Sequence, residues 1–178
     1  MKRIYSFAIL INLLFISCNS KPSLQQYFVE NTENKNFIAL DVSPTILNVD
    51  KTKLSVEQND ALKSFDKMNI LAFKLNGTNK AQFEIEIEKV SSILKEEKYQ
   101  QLMKFGSGKE SASVSYVGSD DHIKEFVLFA NKKETGFAVI RIIGNDMNPT
   151  QVMNMISVLK ESKIDLEQLK PLQEMIKK

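Results

Sequence analysis

A single cysteine, Cys18, and a single histidine, His122, are all that this 178-residue chain has of either residue. One cysteine excludes a disulfide within the chain, so the fold must rest on an apolar core. One histidine leaves a multi-imidazole metal site without ligands, and a Ser-His-Asp triad would have to draw its members from distant segments. An excess of charge is missing too: 24 Lys and Arg face 22 Asp and Glu, and Lys2 and Arg3 carry the whole surplus of +2. Without those two the chain is neutral, which excludes the basic footprint of a nucleic-acid binder. Nor is there an apolar run long enough to cross a bilayer comfortably as a helix, the best being Phe7 to Ile16, interrupted by Asn12.

What is present begins at the N-terminus. The basic pair, the apolar stretch and Ser17 directly before Cys18 form the layout of a signal peptide over residues 1–17. A cysteine that closes a bacterial leader of this kind accepts a thioether-linked diacylglycerol. Cys18 is therefore the expected lipidation site, and the membrane is the expected partner through that lipid. The usual box carries Leu three residues before the cysteine; here that position is Phe15, with Leu14 one place further back. Palmitate-type chains, at about 0.8 kcal/mol per buried methylene, make a multiply acylated anchor effectively permanent. Residues 18–36 read as the lipidated cysteine and its tether. Within them Leu24, Tyr27 and Phe28 suggest a half-amphipathic helix from Leu24 to Glu30.

One domain is expected over 37–161, followed by an amphipathic C-terminal segment over 162–178 with Leu166, Leu169, Leu172 and Ile176, interrupted by Pro171. Phe37 to Val42 is the first strand, ended by Ser43-Pro44. After an apolar turn at Ile46, Leu47 and Val49, Ser55 and Gln58 make a capping box for a helix to about Asp66. Met68 to Leu75 is a strand whose run Ile70-Leu71-Ala72-Phe73 fits cover on both sides. Asn76-Gly77-Thr78 reads as turn chemistry. Phe83, Ile87, Val90 and Leu94 recur at helical spacing between Asn79 and Glu97, with Ile85 on the flank. Tyr99 to Phe105 is a short edge element of either type. Ser111 to Val117, Ile123 to Ala130 and Phe137 to Ile143 are strands joined by hairpin-length turns. Asn148 caps a last helix that starts at Pro149, with Val152, Met155, Ile156 and Leu159 inward. The fold class that follows is α+β: a mostly antiparallel sheet with a C-terminal three-strand meander and helices packed on one face. Ile70, Ala72, Val127, Phe129, Val139 and Ile156 are among the expected buried residues.

Particular stretches carry a resemblance. The leader, Phe37-Ile38-x-Leu40-Asp41-Val42, the strand from Lys67 to Lys74, the Leu102-Met103 segment after Tyr99, and Phe137-Ala138-Val139-Ile140-Arg141-Ile142-x-Gly144 stand in this order. Together they resemble the "domain of unknown function" family of small cell-envelope lipoproteins found in Bacteroidetes, over roughly Phe28 to Leu159. The resemblance implies an envelope location and a fold, and it brings no activity, catalytic residue or cofactor. In that group, lipoproteins sent to the cell exterior often carry acids just behind the lipidated cysteine. Asn19 to Gln26 contains no acid and one lysine, so the resemblance implies a lipid-anchored protein of the outer membrane that faces the periplasm.

His122 after Asp120-Asp121 reads as a solvated hairpin turn. Gly106-Ser107-Gly108-Lys109 lacks the spacing of a phosphate loop. Asp146-Met147-Asn148 lacks the acids that calcium would need next and reads as a loop and cap. Glu84, Glu86 and Glu88, interspersed with Lys80 and Lys89, read as a solvated helix face. Met147, Met153, Met155 and Met175 read as core, with an adaptable apolar surface as the alternative. No residue is assigned as catalytic, cofactor-binding or metal-ligating, and no cofactor is expected. The expected function is a non-catalytic binding or interaction module that takes an envelope protein partner or another envelope component through its sheet or its C-terminal amphipathic segment. The alternative is a carrier of an apolar small molecule in a sheet-helix cleft, and an enzyme is not expected.

Overall fold

The computed structural model describes residues 22–44, 50–107 and 110–161. Within them, six strands run β1 Phe37–Val42, β2 Phe65–Lys74, β3 Gln100–Ser107, β4 Glu110–Ser119, β5 His122–Lys132 and β6 Gly136–Met147. The helices are α1 Leu24–Asn31, α2 Val56–Ser64, α3 Lys80–Ile93 and α4 Pro149–Glu161. The strands form one sheet in the order β1-β2-β6-β5-β4-β3, and every neighbouring pair is antiparallel. The α+β class with an antiparallel sheet therefore holds. The meander is four strands long rather than three, because the edge element after Tyr99 is β3. Its period-two pattern is broken by a register shift between Gln101 and Met103, which is why the pattern alone left its type open.

The helices lie on both faces of the sheet, not on one. Leu24, Tyr27 and Phe28 of α1 and Phe83, Val90 and Ile93 of α3 pack on the first face, against Leu71, Phe73, Val127, Phe137 and Val139. Leu62 of α2 and Val152 and Met155 of α4 pack on the second, against Met68, Ile70, Phe126 and Ile142. Strand alternation makes the two sets inevitable: neighbours such as Ile70 and Leu71 point to opposite faces, and both are buried. The connection from β2 to the far edge strand β3 must cross the sheet, and α3 makes that crossing over the first face.

Local chemistry sets the helix starts. Ser23 accepts from Gln26 N at 3.1 Å. Ser55 and Gln58 form the expected reciprocal box, and Asn148 and Gln151 form a second, each bond 2.9 Å. Two glycines are required by contacts. A Cβ on Gly136, at φ +132°, would sit 1.9 Å from the Phe73 carbonyl oxygen, and one on Gly144 would sit 2.0 Å from that of Ser64.

One boundary and one helix face differ from expectation. The packed domain takes in α1 and does not start at Phe37: Leu24 is 0 % exposed and Tyr27 3 %. The inward positions of α3 are Phe83, Glu86, Val90 and Ile93, with Ile87 and Leu94 partly buried. Glu86, read from sequence as solvated, is buried because the Tyr27 hydroxyl donates to its Oε2 at 2.9 Å and Lys89 Nζ donates to its Oε1 at 2.9 Å. The turn at Ile46, Leu47 and Val49, the side chains of Ile156 and Leu159, and the segment 162–178 lie outside the described residues.

Candidate functional site

The register of the sheet places a row of alanines side by side. Ala72 pairs with Ala138, Ala138 with Ala130, and Ala130 with Ala112. The row continues to Ile38 on edge strand β1 and to Phe105 on edge strand β3. All point to the second face. At about 4.8 Å per strand, the four methyl groups form a floor about 14 Å long running across the strands. The neighbouring row on the same face is Leu40, Ile70, Ile140, Leu128 and Val114, which are larger and belong to or pack against the core under α2 and α4. On the other side the border is polar: Gly136 lies between Lys74 and Lys132, and Lys132 Nζ stands 3.4 Å from Glu110 Oε1. The result is a trough of about 510 Å³, bordered at one end by Phe105 and Gly106.

The trough is left open because α2 and α4 gather at the other end of that face, around Val42, Phe65 and Met147. Ala130 is exposed and Ala112 and Ala138 are half-buried. Phe105 is 55 % exposed and Met103 41 %, so edge strand β3 adds apolar surface beside the trough. Sequence reading missed the trough. Each alanine is unremarkable in its own strand, and only the pairing of strands far apart in the chain aligns them.

The first face is closed by a polar lock. Arg141 Nε donates to Glu125 Oε1 at 2.6 Å, and Nη1 donates to Gln25 Oε1 of α1 at 2.6 Å. The guanidinium also lies 5.4 Å from the centroid of the Phe28 ring. Nearby, burial and the charge of Glu125 push the Tyr99 hydroxyl above its usual range.

His122 Nδ1 is 3.0 Å from Asp146 Oδ1, and both side chains are largely in solvent. The Tyr116 hydroxyl bonds Asp120, which raises its pKa through that bond, then burial and the carboxylate charge. Met147 is buried in the core and Asn148 spends its side chain on the α4 cap. Among the described residues, no group of three or more His, Cys, Asp and Glu could hold a metal ion. Met147 and Met155 are core, while Met153 is 60 % exposed. Gly106 sits at φ +67° near the end of β3, a hairpin position rather than a strand-to-helix turn. Cys18 and Met175 lie outside the described residues, and no described helix is long and apolar enough to cross a membrane.

Neither a curated protein nor a solved structure matches the chain. A family model does: the one described as Domain of unknown function (DUF4252) matches residues 27–155, from the middle of α1 into α4. That span takes in every strand of the sheet and most of the chain, and the protein belongs to the DUF4252 family.

Proposed function

We propose that the protein is a non-catalytic binding module of the cell envelope, attached to the outer membrane through lipid on Cys18 and facing the periplasm. Its binding surface is the alanine-floored trough, and its ligand is a linear apolar chain such as the acyl chain of an envelope lipid. The observation that carries this reading is the register of Ala72, Ala138, Ala130 and Ala112. A floor of methyl groups with a polar lip suits a chain that is thin, straight and apolar, with its polar end over the lip. The volume of about 510 Å³ is in the range of small-molecule sites. The charged groups lining the trough, Lys132 and Glu110, are paired with each other, which supports binding over acid-base chemistry.

Each methylene that leaves water contributes about 0.8 kcal/mol, and an open trough covers about half of it. Two added carbons should therefore tighten binding roughly fourfold until the floor is filled. Titration calorimetry with saturated fatty acids of increasing length measures this. Ala130→Phe, at an exposed position, should abolish the heat without lowering stability. Acyl binding that survives both Ala130→Phe and Ala138→Leu would remove the trough from the account. A second reading is favoured by the outer edge of β3, which pairs with no further strand among the described residues: an envelope protein could add a strand there, aided by the exposed Leu102, Met103 and Phe105. Crosslinking in cells and identification of what is attached separates a protein from a lipid.

A further inference from the structure

Strand β4 presents a stripe of serine hydroxyls to the first face of the sheet. Ser111, Ser113 and Ser115 alternate toward the first face, where their partners on β5 are Asn131, Phe129 and Val127. Ser115 is 4 % exposed, and none of the three hydroxyls has a hydrogen-bond partner among the described residues. They floor a pocket of about 190 Å³, separate from the trough and on the opposite side of the sheet. The end of α3 borders it with Ser91 and Lys95, and edge strand β3 borders it with Gln101 and Lys104. Neither lysine makes an ion pair among the described residues, and no carboxylate lines the pocket. The C-terminal carbonyls of α3 would oppose an anion, but much of their acceptor capacity is used. Leu94 N bonds Val90 O at 2.9 Å, Lys95 N bonds Ser92 O at 3.2 Å, and Glu96 N bonds Ile93 O at 3.1 Å.

Two unpaired cations, a stripe of hydroxyl donors without partners and no competing acid define one ligand chemistry. We propose that this pocket is an oxyanion site that takes a phosphate ester. Lys95 and Lys104 supply the charge, and the serine hydroxyls and the Gln101 amide supply directed hydrogen bonds. Two sources of such a group are within reach. With the lipid anchor proposed on Cys18, one source is a phospholipid headgroup, and the other is a free phosphorylated small molecule.

The test uses the full chain carrying Cys18→Ser, which has no lipid of its own to attach it to vesicles. Glycerol 3-phosphate is titrated by calorimetry, and vesicles of phosphatidylglycerol in phosphatidylcholine are tested by flotation against phosphatidylcholine alone. Binding of glycerol 3-phosphate identifies a free ligand, and binding to the anionic vesicles alone identifies a headgroup; either supports the site. The double variant Lys95→Gln, Lys104→Gln, altered only at exposed positions, should lose at least tenfold in affinity. Ser115→Ala should lose several-fold, and binding should weaken as salt rises. No binding in either arm, or equal affinity of the double variant, would overturn the proposal without touching the trough.

Discussion

Replacing Arg141 by Met tests how the N-terminal helix is tied to the sheet. Arg141 and Glu125 are largely buried, with side chains 7 % and 15 % exposed. Losing the guanidinium strands the Glu125 carboxylate, and removing one partner of a buried pair costs about 3–5 kcal/mol. The Gln25 bond and the contact over the Phe28 ring go with it, so the loss should lie toward the upper end of that range. Domains of this size have roughly 5–15 kcal/mol in total, so the variant should remain folded but unfold at much lower urea with an unchanged slope. Because the lost contacts include those to α1, amide exchange in Leu24–Asn31 should speed up more than in β2 or β6. The double variant Arg141→Met, Glu125→Leu should recover most of the loss, since no charge is then left buried. A cost below about 1 kcal/mol, or a double variant no better than the single, would refute the reasoning that this pair holds α1 down.

Phe73, 0 % exposed and stacked on Phe137 at 5.5 Å between centroids, should cost about 3–5 kcal/mol as Ala; calorimetric unfolding checks it. Burial foremost, then the Glu86 charge and the hydrogen bond to it, push the Tyr27 hydroxyl far above its ordinary 10.0. The raised value means that its stabilisation is complete below pH 10 and is lost progressively as pH rises beyond that, where the unfolded chain ionises first. Urea midpoints measured from pH 8 to 11 should fall at the alkaline end, and Tyr27→Phe should flatten that fall. For location, protease added to intact cells should leave the protein whole and should degrade it once the outer membrane is permeabilised. Cys18→Ser should release a soluble form.

Much of the fold was legible because local signals and tertiary contacts agree. The Ser55–Gln58 box, Pro149 behind Asn148 and the turns between the last three strands each specify their own geometry within a few residues. Other features are non-local. Tyr27 and Glu86 are far apart in sequence, and nothing in the helix pattern of α3 announces that a tyrosine will come to satisfy an inward carboxylate. The helices on the second face follow from the fully apolar run Ile70 to Phe73, a signal that was present and outweighed by the clustering of strands late in the chain. The candidate sites were least legible. A row of alanines and a stripe of serines each acquire meaning only when the strands beside them and the helices above them are in register.

The most direct measurement is methyl NMR of the alanines during titration with laurate. The account predicts that Ala72, Ala112, Ala130 and Ala138 shift together and saturably, that alanines on the other face such as Ala39 stay still, and that Ala130→Phe silences the response. Shifts absent from this row, or centred on another part of the sheet while laurate binds, would contradict the claim that the trough is the binding surface.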